Sequence, residues 1–395
     1  MILHRKKILL LIIPAIVLIF NALIIFNPSE VMMAARGGAV LWFNNVVPSL
    51  LPFMIGTNML LRLGVVNFIG VLLEPIMRPL FGVSGKGAFA LVMGATSGYP
   101  IGAQVCASLR EDGQISQVET QRLLSFVNNS GPLFMIGAVG AGMFANERVG
   151  YFILVTNLAG AILSGMLFKF YKRSDGEGEI RKPLKYAVST LKNKEPLGKI
   201  LSESIIKSFE SLMLIAGFII LFSVILKILE TAGIISITIG FLYNIGLPIG
   251  KELMSAAVYG FFEITNGASK LAALEPSRSI VILCAALVSF GGLSIFSQSV
   301  AFLSKTDVKT SIFFMSKLLN AALTAAAGFL IYPFWNFGAG GGEHIAPVFA
   351  SSTPVTTLML STVISIMATV TILVTVFALK INTAHKKRNP KKGLR

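Results

Sequence analysis

Long apolar runs separated by short polar breaks make up most of this chain, and their lengths are those of membrane crossings. The first run, 8–26, follows the basic cluster His4-Arg5-Lys6-Lys7 and ends at Asn27-Pro28-Ser29-Glu30. It is long enough to span and no small-residue cleavage site follows it, so it reads as a retained first transmembrane helix. Runs at 38–62, 117–143, 149–171, 208–230, 279–303, 311–335 and 355–379 each cover the roughly 30 Å of bilayer hydrocarbon. Two shorter pieces, 65–82 and 233–248, hold proline and glycine and suit helices lying in the interface. On the first of them Glu74 and Arg78 stand at i, i+4 spacing and are expected to pair.

Two more segments, 86–109 and 251–274, are apolar at their ends and broken in the middle. The first breaks at Ala95-Thr96-Ser97-Gly98-Tyr99-Pro100, the second at Glu263-Ile264-Thr265-Asn266-Gly267. Irregular backbone at membrane depth survives only inside protein or against a wet cavity, so both read as re-entrant hairpins with tips near the midplane. The predicted fold is an all-α polytopic membrane protein with about eight transmembrane helices and two such hairpins.

A shift of 165 residues overlays the hairpins: Gly85-Lys86 falls on Gly250-Lys251, Gly102-Ala103 on Gly267-Ala268, and Leu109 on Leu274. The register continues at slightly smaller shifts, with Ser125-Phe126 on Ser289-Phe290 at 164 and Asn157 on Asn320 at 163. Each half then reads span, interfacial helix, hairpin, span, span. The first half begins outside and the second inside, which makes an inverted-topology repeat of the kind that builds substrate sites at its interface. The expected segments are a 1–30 transmembrane anchor, a 31–172 repeat, a 173–202 basic cytoplasmic linker and a 203–337 inverted repeat. Residues 338–395 would form a Gly-rich extracytoplasmic loop, a last transmembrane helix and a basic cytoplasmic tail.

Composition fits lipid as the solvent: 54% of residues are hydrophobic, 13% are charged, and mean hydropathy is +0.78. The net charge of +16 would suit nucleic acid, but the basic residues lie between and after the apolar runs, where they meet headgroups and set orientation. With a cytoplasmic N-terminus and eight crossings, most of the 34 Lys and Arg fall inside, so both termini are expected in the cytoplasm. Lys207, Lys227 and Lys317 sit near or within spans.

Both cysteines, Cys106 and Cys284, lie in apolar stretches, and no Cys/His spacing resembles a metal site. Residues 338–342 share only glycine content with a phosphate loop, Glu343-His344 lacks the second histidine of a zinc protease helix, and no nucleophilic triad is evident. The expectation is no enzyme, no cofactor and no nucleic acid, with the bilayer as partner. The candidate chemistry lies in the breaks. The 117–143 run is interrupted at Asn128-Asn129-Ser130-Gly131-Pro132, and its counterpart 279–303 contains Gly291-Gly292-Leu293-Ser294 and Ser297-Gln298-Ser299. A broken helix exposes N–H groups that suit carboxylates at one end and carbonyls that suit cations at the other. Candidate substrate contacts are Thr96, Ser97 and Tyr99; Asn128, Asn129 and Ser130; Glu263, Thr265 and Asn266; and Ser294 and Gln298. The competing reading is that such small polar residues only let helices pack closely. Glu263 reads as a proton carrier, a cation ligand or a substrate partner, or else as a structural pair with Lys270 or a backbone donor.

Leu41-Trp42-Phe43-Asn44-Asn45-Val46-Val47-Pro48-Ser49-Leu50-Leu51-Pro52-Phe53, Gly94-Ala95-Thr96-Ser97-Gly98-Tyr99-Pro100-Ile101-Gly102 and Phe126-Val127-Asn128-Asn129-Ser130-Gly131-Pro132 resemble the YlbJ-type sporulation integral membrane proteins of the nucleoside-recognition, or Gate, group. The resemblance covers nearly the whole chain. It implies a fold like that of concentrative nucleoside transporters, whose hairpins and broken helices hold substrate. It also implies a role in sporulation, moving dipicolinic acid across the outer forespore membrane. A nucleoside or other small metabolite as substrate, and a non-transporting scaffold for the spore envelope, stay open at this stage. So do coupling to Na+ or H+ and assembly into a homo-oligomer.

Overall fold

The computed structural model describes residues 2–172, 195–244, 250–275 and 277–337, and among them all regular structure is helical. The predicted last span at 355–379, the Gly-rich segment 338–342 and most of the basic linker lie outside the described residues.

Helix α1 (Ile2–Phe26) gives way at Asn27 to α2 (Pro28–Leu41). Proline supplies no N–H and fits best in the first turn of a helix, and the chain turns here by 102°. A π-helical turn, Trp42–Val46, leads from α2 into α3 (Val47–Arg62). The next helix, α4 (Val65–Phe81), leaves at 85° through Gly64, whose φ of +76° suits a residue without Cβ. This is the turn an interfacial helix needs. The expected Glu74–Arg78 pair forms there at 2.6 Å.

Both predicted hairpins are helix pairs. The first is α5 (Gly87–Ser97) and α6 (Ile101–Glu111), interrupted at Gly98-Tyr99-Pro100. The second is α11 (Lys251–Phe262) and α12 (Ile264–Ala272), preceded by α9 (Leu197–Thr231) and α10 (Ile234–Asn244) and interrupted at Glu263. After the first hairpin, α7 (Gln117–Val127) starts on a capping box in which Ser116 and Glu119 satisfy each other's backbone N–H. It stops at Asn128, and the chain resumes as a π-helical segment, Leu133–Met143, before α8 (Glu147–Phe168). After the second hairpin, α13 (Arg278–Phe290) and α14 (Gly292–Leu303) are joined by Gly291, and α15 (Thr310–Ile331) follows.

Among the described residues four helices are long and apolar enough to cross a membrane: α8, α9, α13 with α14, and α15 with its final turn. Counting each bent pair as one crossing raises the number to six. The 117–143 run does not join them, because its polar break leaves two pieces of 11 residues each. Helices from the two chain halves share their cores. Phe89, Leu123 and Phe126 are buried together with Leu303 and Phe313, and Phe152 is buried with Cys284 and Val288. Small residues allow this: a Cβ on Gly160 of α8 would stand 2.8 Å from the Thr324 nitrogen of α15, so the two backbones touch.

Candidate functional site

The two helix breaks meet the hairpin tips. A Cβ added at Gly94 or Gly102, on either arm of the first hairpin, would run into the Val127 carbonyl at the end of α7. At the tip itself, Gly98 (φ +78°) lies against Gly131. The second hairpin repeats the arrangement: a Cβ on Gly292 would stand 3.1 Å from the Gly260 and Phe262 carbonyls. Glycine at these positions is what allows a backbone interruption to be packed against another one.

A helix that stops inside the bundle leaves its last carbonyls without intrahelical partners, and in hydrocarbon each must find a donor. For α7 the donors come largely from α15. Lys317 is 2% exposed, and its Nζ donates to the Asn128 carbonyl at 2.7 Å and lies 3.5 Å from Asn129 Oδ1. The same nitrogen sits 5.1 Å from the centre of the Tyr99 ring, within the range of a cation–π contact. Asn129 Nδ2 donates to the Phe126 carbonyl at 2.6 Å, and its Oδ1 accepts from Asn320 Nδ2 at 2.7 Å. Asn128 Nδ2 donates to Ser299 Oγ of α14 at 3.0 Å. For α13 the donor comes from the first hairpin: the Tyr99 hydroxyl donates to the Val288 and Ser289 carbonyls, at 2.6 and 2.9 Å.

Most of the predicted contacts therefore converge. Tyr99, Asn128 and Asn129 are bonded across the chain halves, and Ser130 is buried beside them. Among the described residues, the buried Ser97 Oγ, Asn128 Oδ1 and Asn320 Oδ1 have no hydrogen-bond partner. Ser294 and Gln298 are buried on α14 and bond to each other, Nε2 to Oγ, at 3.3 Å. Thr96 instead donates to the Val92 and Met93 carbonyls of its own helix. The Glu263 carboxylate bonds within its own hairpin and not to this network. It is the N-cap of α12, accepting from Thr265 N at 3.0 Å and from Asn266 N and Nδ2 at 2.8 and 3.0 Å. The backbone-donor reading thus describes Glu263, and Lys270 lies over the Tyr259 ring at 4.1 Å instead of pairing with it.

Three members of the site were not singled out in the sequence: Lys317, Asn320 and Ser299. The signal for Lys317 was present, since an ionisable residue in the middle of an apolar run is a functional candidate by default. No carboxylate among the described residues forms an ion pair with it, and none of its hydrogen bonds goes to a charged group. A buried ammonium held only by carbonyl dipoles and a ring face is short of negative charge. Buried acceptor and donor amides stand next to it. Among the described residues no group of three His, Cys, Asp or Glu converges to hold a metal.

Residues 43–147, which contain the first hairpin and the first break, match the Gate family model, described as nucleoside recognition. The chain is 36% identical over 345 residues to a sporulation integral membrane protein, YlbJ, of Bacillus subtilis strain 168, covering 83% of this chain and 84% of the relative. No solved structure matches.

Proposed function

We propose a function on the premise that these similarities supply: the chain belongs to the YlbJ family of sporulation integral membrane proteins. It is a secondary transporter that moves a small dianion, dipicolinate, across the mother-cell-derived outer forespore membrane by alternating access. In this reading the chain crosses the bilayer about eight times, both termini are cytoplasmic, and 31–172 and 203–337 form the inverted repeat. The recurrence of interfacial helix, hairpin, broken helix and crossing helix in both halves supports that reading, because such repeats place their substrate at the interface between them. The substrate is held by Asn128, Asn129, Ser130, Ser97 and Tyr99, joined by Lys317, with Ser294 and Gln298 on the facing helix. No catalytic step is assigned.

One observation carries the choice of an anion. Lys317 is buried at a helix break with no carboxylate partner among the described residues, so a substrate carboxylate would supply the missing counter-charge. An uncharged nucleoside would leave it unpaired. The Gate match, described as nucleoside recognition, favours the second reading, a nucleoside carrier on the same architecture.

Flux into proteoliposomes separates them. Wild-type protein is expected to take up dipicolinate saturably and a nucleoside poorly. Asn128→Ala and Asn129→Ala, which remove the bond to Ser299 and the bridge to Asn320, are expected to abolish dipicolinate uptake while the protein still inserts. Wild-type uptake by both variants would remove the proposed site, and nucleoside flux alone would keep the architecture and replace the substrate.

A further inference from the structure

Broken helices in transporters characteristically offer their C-terminal carbonyls to a coupling cation. In this protein several of those carbonyls already hold a protein donor or are covered. At the end of α7, Phe126 O accepts from Asn129 Nδ2, Val127 O is covered by Gly94 and Gly102, and Asn128 O accepts from Lys317 Nζ at 2.7 Å. At the end of α13, Leu287 O accepts from Gly291 N at 2.9 Å, and Val288 O and Ser289 O both accept from the Tyr99 hydroxyl. A metal ion at the Asn128 carbonyl, or at those of Val288 and Ser289, would have to displace a protein donor.

We infer that the Lys317 ammonium is a built-in cation: on a covalent tether, it fills the place at the end of α7 that a free cation would otherwise occupy, so the protein needs no sodium. Four features carry this. The residue is buried, 2% exposed. Its nitrogen sits at the negative end of a helix, where positive charge is favoured. The Tyr99 ring closes it in from a third side, 5.1 Å away. Finally, Lys317 and its acceptor Asn128 come from different chain halves, so the tethered charge ties the first break to α15 as a bound ion would. The inference deepens the transporter reading and rests on it for its flux arm. A cation that stays with the protein is not cotransported, so a dianion would move without a sodium gradient to drive it.

The test has two arms. In the first, thermal unfolding of detergent-solubilised protein is compared in sodium chloride, ethylammonium chloride and N-methylglucamine chloride at equal ionic strength. Wild type is expected to show the same Tm in all three. Lys317→Ala opens the cation place and is expected to gain about 3 °C in sodium or ethylammonium over N-methylglucamine, because a ligand that binds only the folded state raises its stability. A sodium-raised Tm in wild type, or a Lys317→Ala protein indifferent to both small cations, overturns the inference. If Lys317→Ala does not fold, the wild-type comparison still decides.

In the second arm, wild-type dipicolinate flux is measured with sodium, potassium or N-methylglucamine on both sides of the membrane. Equal flux is expected, and a sodium requirement overturns the inference. Absence of dipicolinate flux in every medium would remove the proposed function instead, leaving the unfolding arm to decide on the cation.

Discussion

The two broken helices solve the same backbone problem with different chemistry. Each stops inside the bundle, and each has at least one exposed carbonyl satisfied by a residue from the other chain half. Lys317 of α15 reaches Asn128 at the end of α7, and Tyr99 of the first hairpin reaches Val288 and Ser289 at the end of α13. The exchange is reciprocal, yet one donor is an ammonium and the other a phenol. The phenol satisfies its carbonyls and leaves nothing over. The ammonium satisfies its carbonyl and leaves a charge without a counter-charge among the described residues. The two breaks thus carry unequal electrostatics, which is why the anion site proposed above lies at the first of them.

The largest effect should follow from cancelling that inequality. Asn129→Asp would set a carboxylate beside Lys317, where the present amide oxygen lies 3.5 Å from Nζ. An internal ion pair would replace the one proposed for the substrate; the shape is kept, although the bond from Asn129 Nδ2 to the Phe126 carbonyl is lost. Dipicolinate flux is expected to fall about 100-fold, equivalent to roughly 2.7 kcal/mol, while the protein remains folded. Ser294→Asp at the second break should cost less than a tenth of that factor. Equal losses in the two variants would show that the breaks share the anion and that Lys317 does not single one out.

Much of this arrangement was legible in the sequence. The four interruptions were marked by Gly, Pro and Asn standing in apolar runs, and the hairpins and both broken helices lie where those residues predicted. Glu74 and Arg78 pair as their spacing suggested. What the sequence could not supply was which polar residues face one another. Lys317 could be placed only near or within a span, because its depth and its acceptor depend on how α15 packs against the end of α7. Asn320, three residues on, shares its face for the same reason. Glu263 drew attention as a deep carboxylate, but its side chain turns back onto the N–H groups of Thr265 and Asn266. Glutamate is not among the favoured N-cap residues, so nothing in the local pattern signalled a cap.

A second comparison concerns how tightly each break is packed. A Cβ on Gly102 would meet the Val127 carbonyl and stand 3.1 Å from Asn128 Cα, and backbone cannot move aside as a side chain can. Gly102→Ala is expected to destabilise the protein by about 2–4 kcal/mol. Gly291→Ala meets only the Tyr99 ring, at 3.1 Å, but must hold φ near +88°. Its expected cost is about 1–2 kcal/mol. Thermal unfolding of the two variants checks the order. The reverse order would mean that the glycine turn at 291–292, and not the contact between hairpin and α7, limits stability.

The smallest effect is expected where the halves meet away from the breaks. Arg110, in the last turn of α6, makes a two-pronged pair with Asp307 in the loop before α15, both bonds at 2.8 Å. Gln117 donates to the Asp307 carbonyl, and Gln121 exchanges two bonds with the backbone of Lys309. The Arg110 guanidinium, chiefly through its hydrogen bond, holds the Asp307 carboxyl below its usual range. A carboxyl shifted down in the folded state adds stability above its ordinary pKa and loses it as pH falls through the lowered one. Wild type should therefore exceed Asp307→Asn in Tm near neutral pH, and the two curves should converge under acid conditions below the usual carboxylate range. The side chains are 28% and 51% exposed, so solvent screens the pair and the gap should be small. A gap as large as that of Gly102→Ala would move the main tie between the halves from the buried exchange of caps to this surface strap. Convergence with little loss at neutral pH would leave the shared apolar cores and the buried Lys317–Asn128 and Tyr99–Val288 contacts as what holds them together.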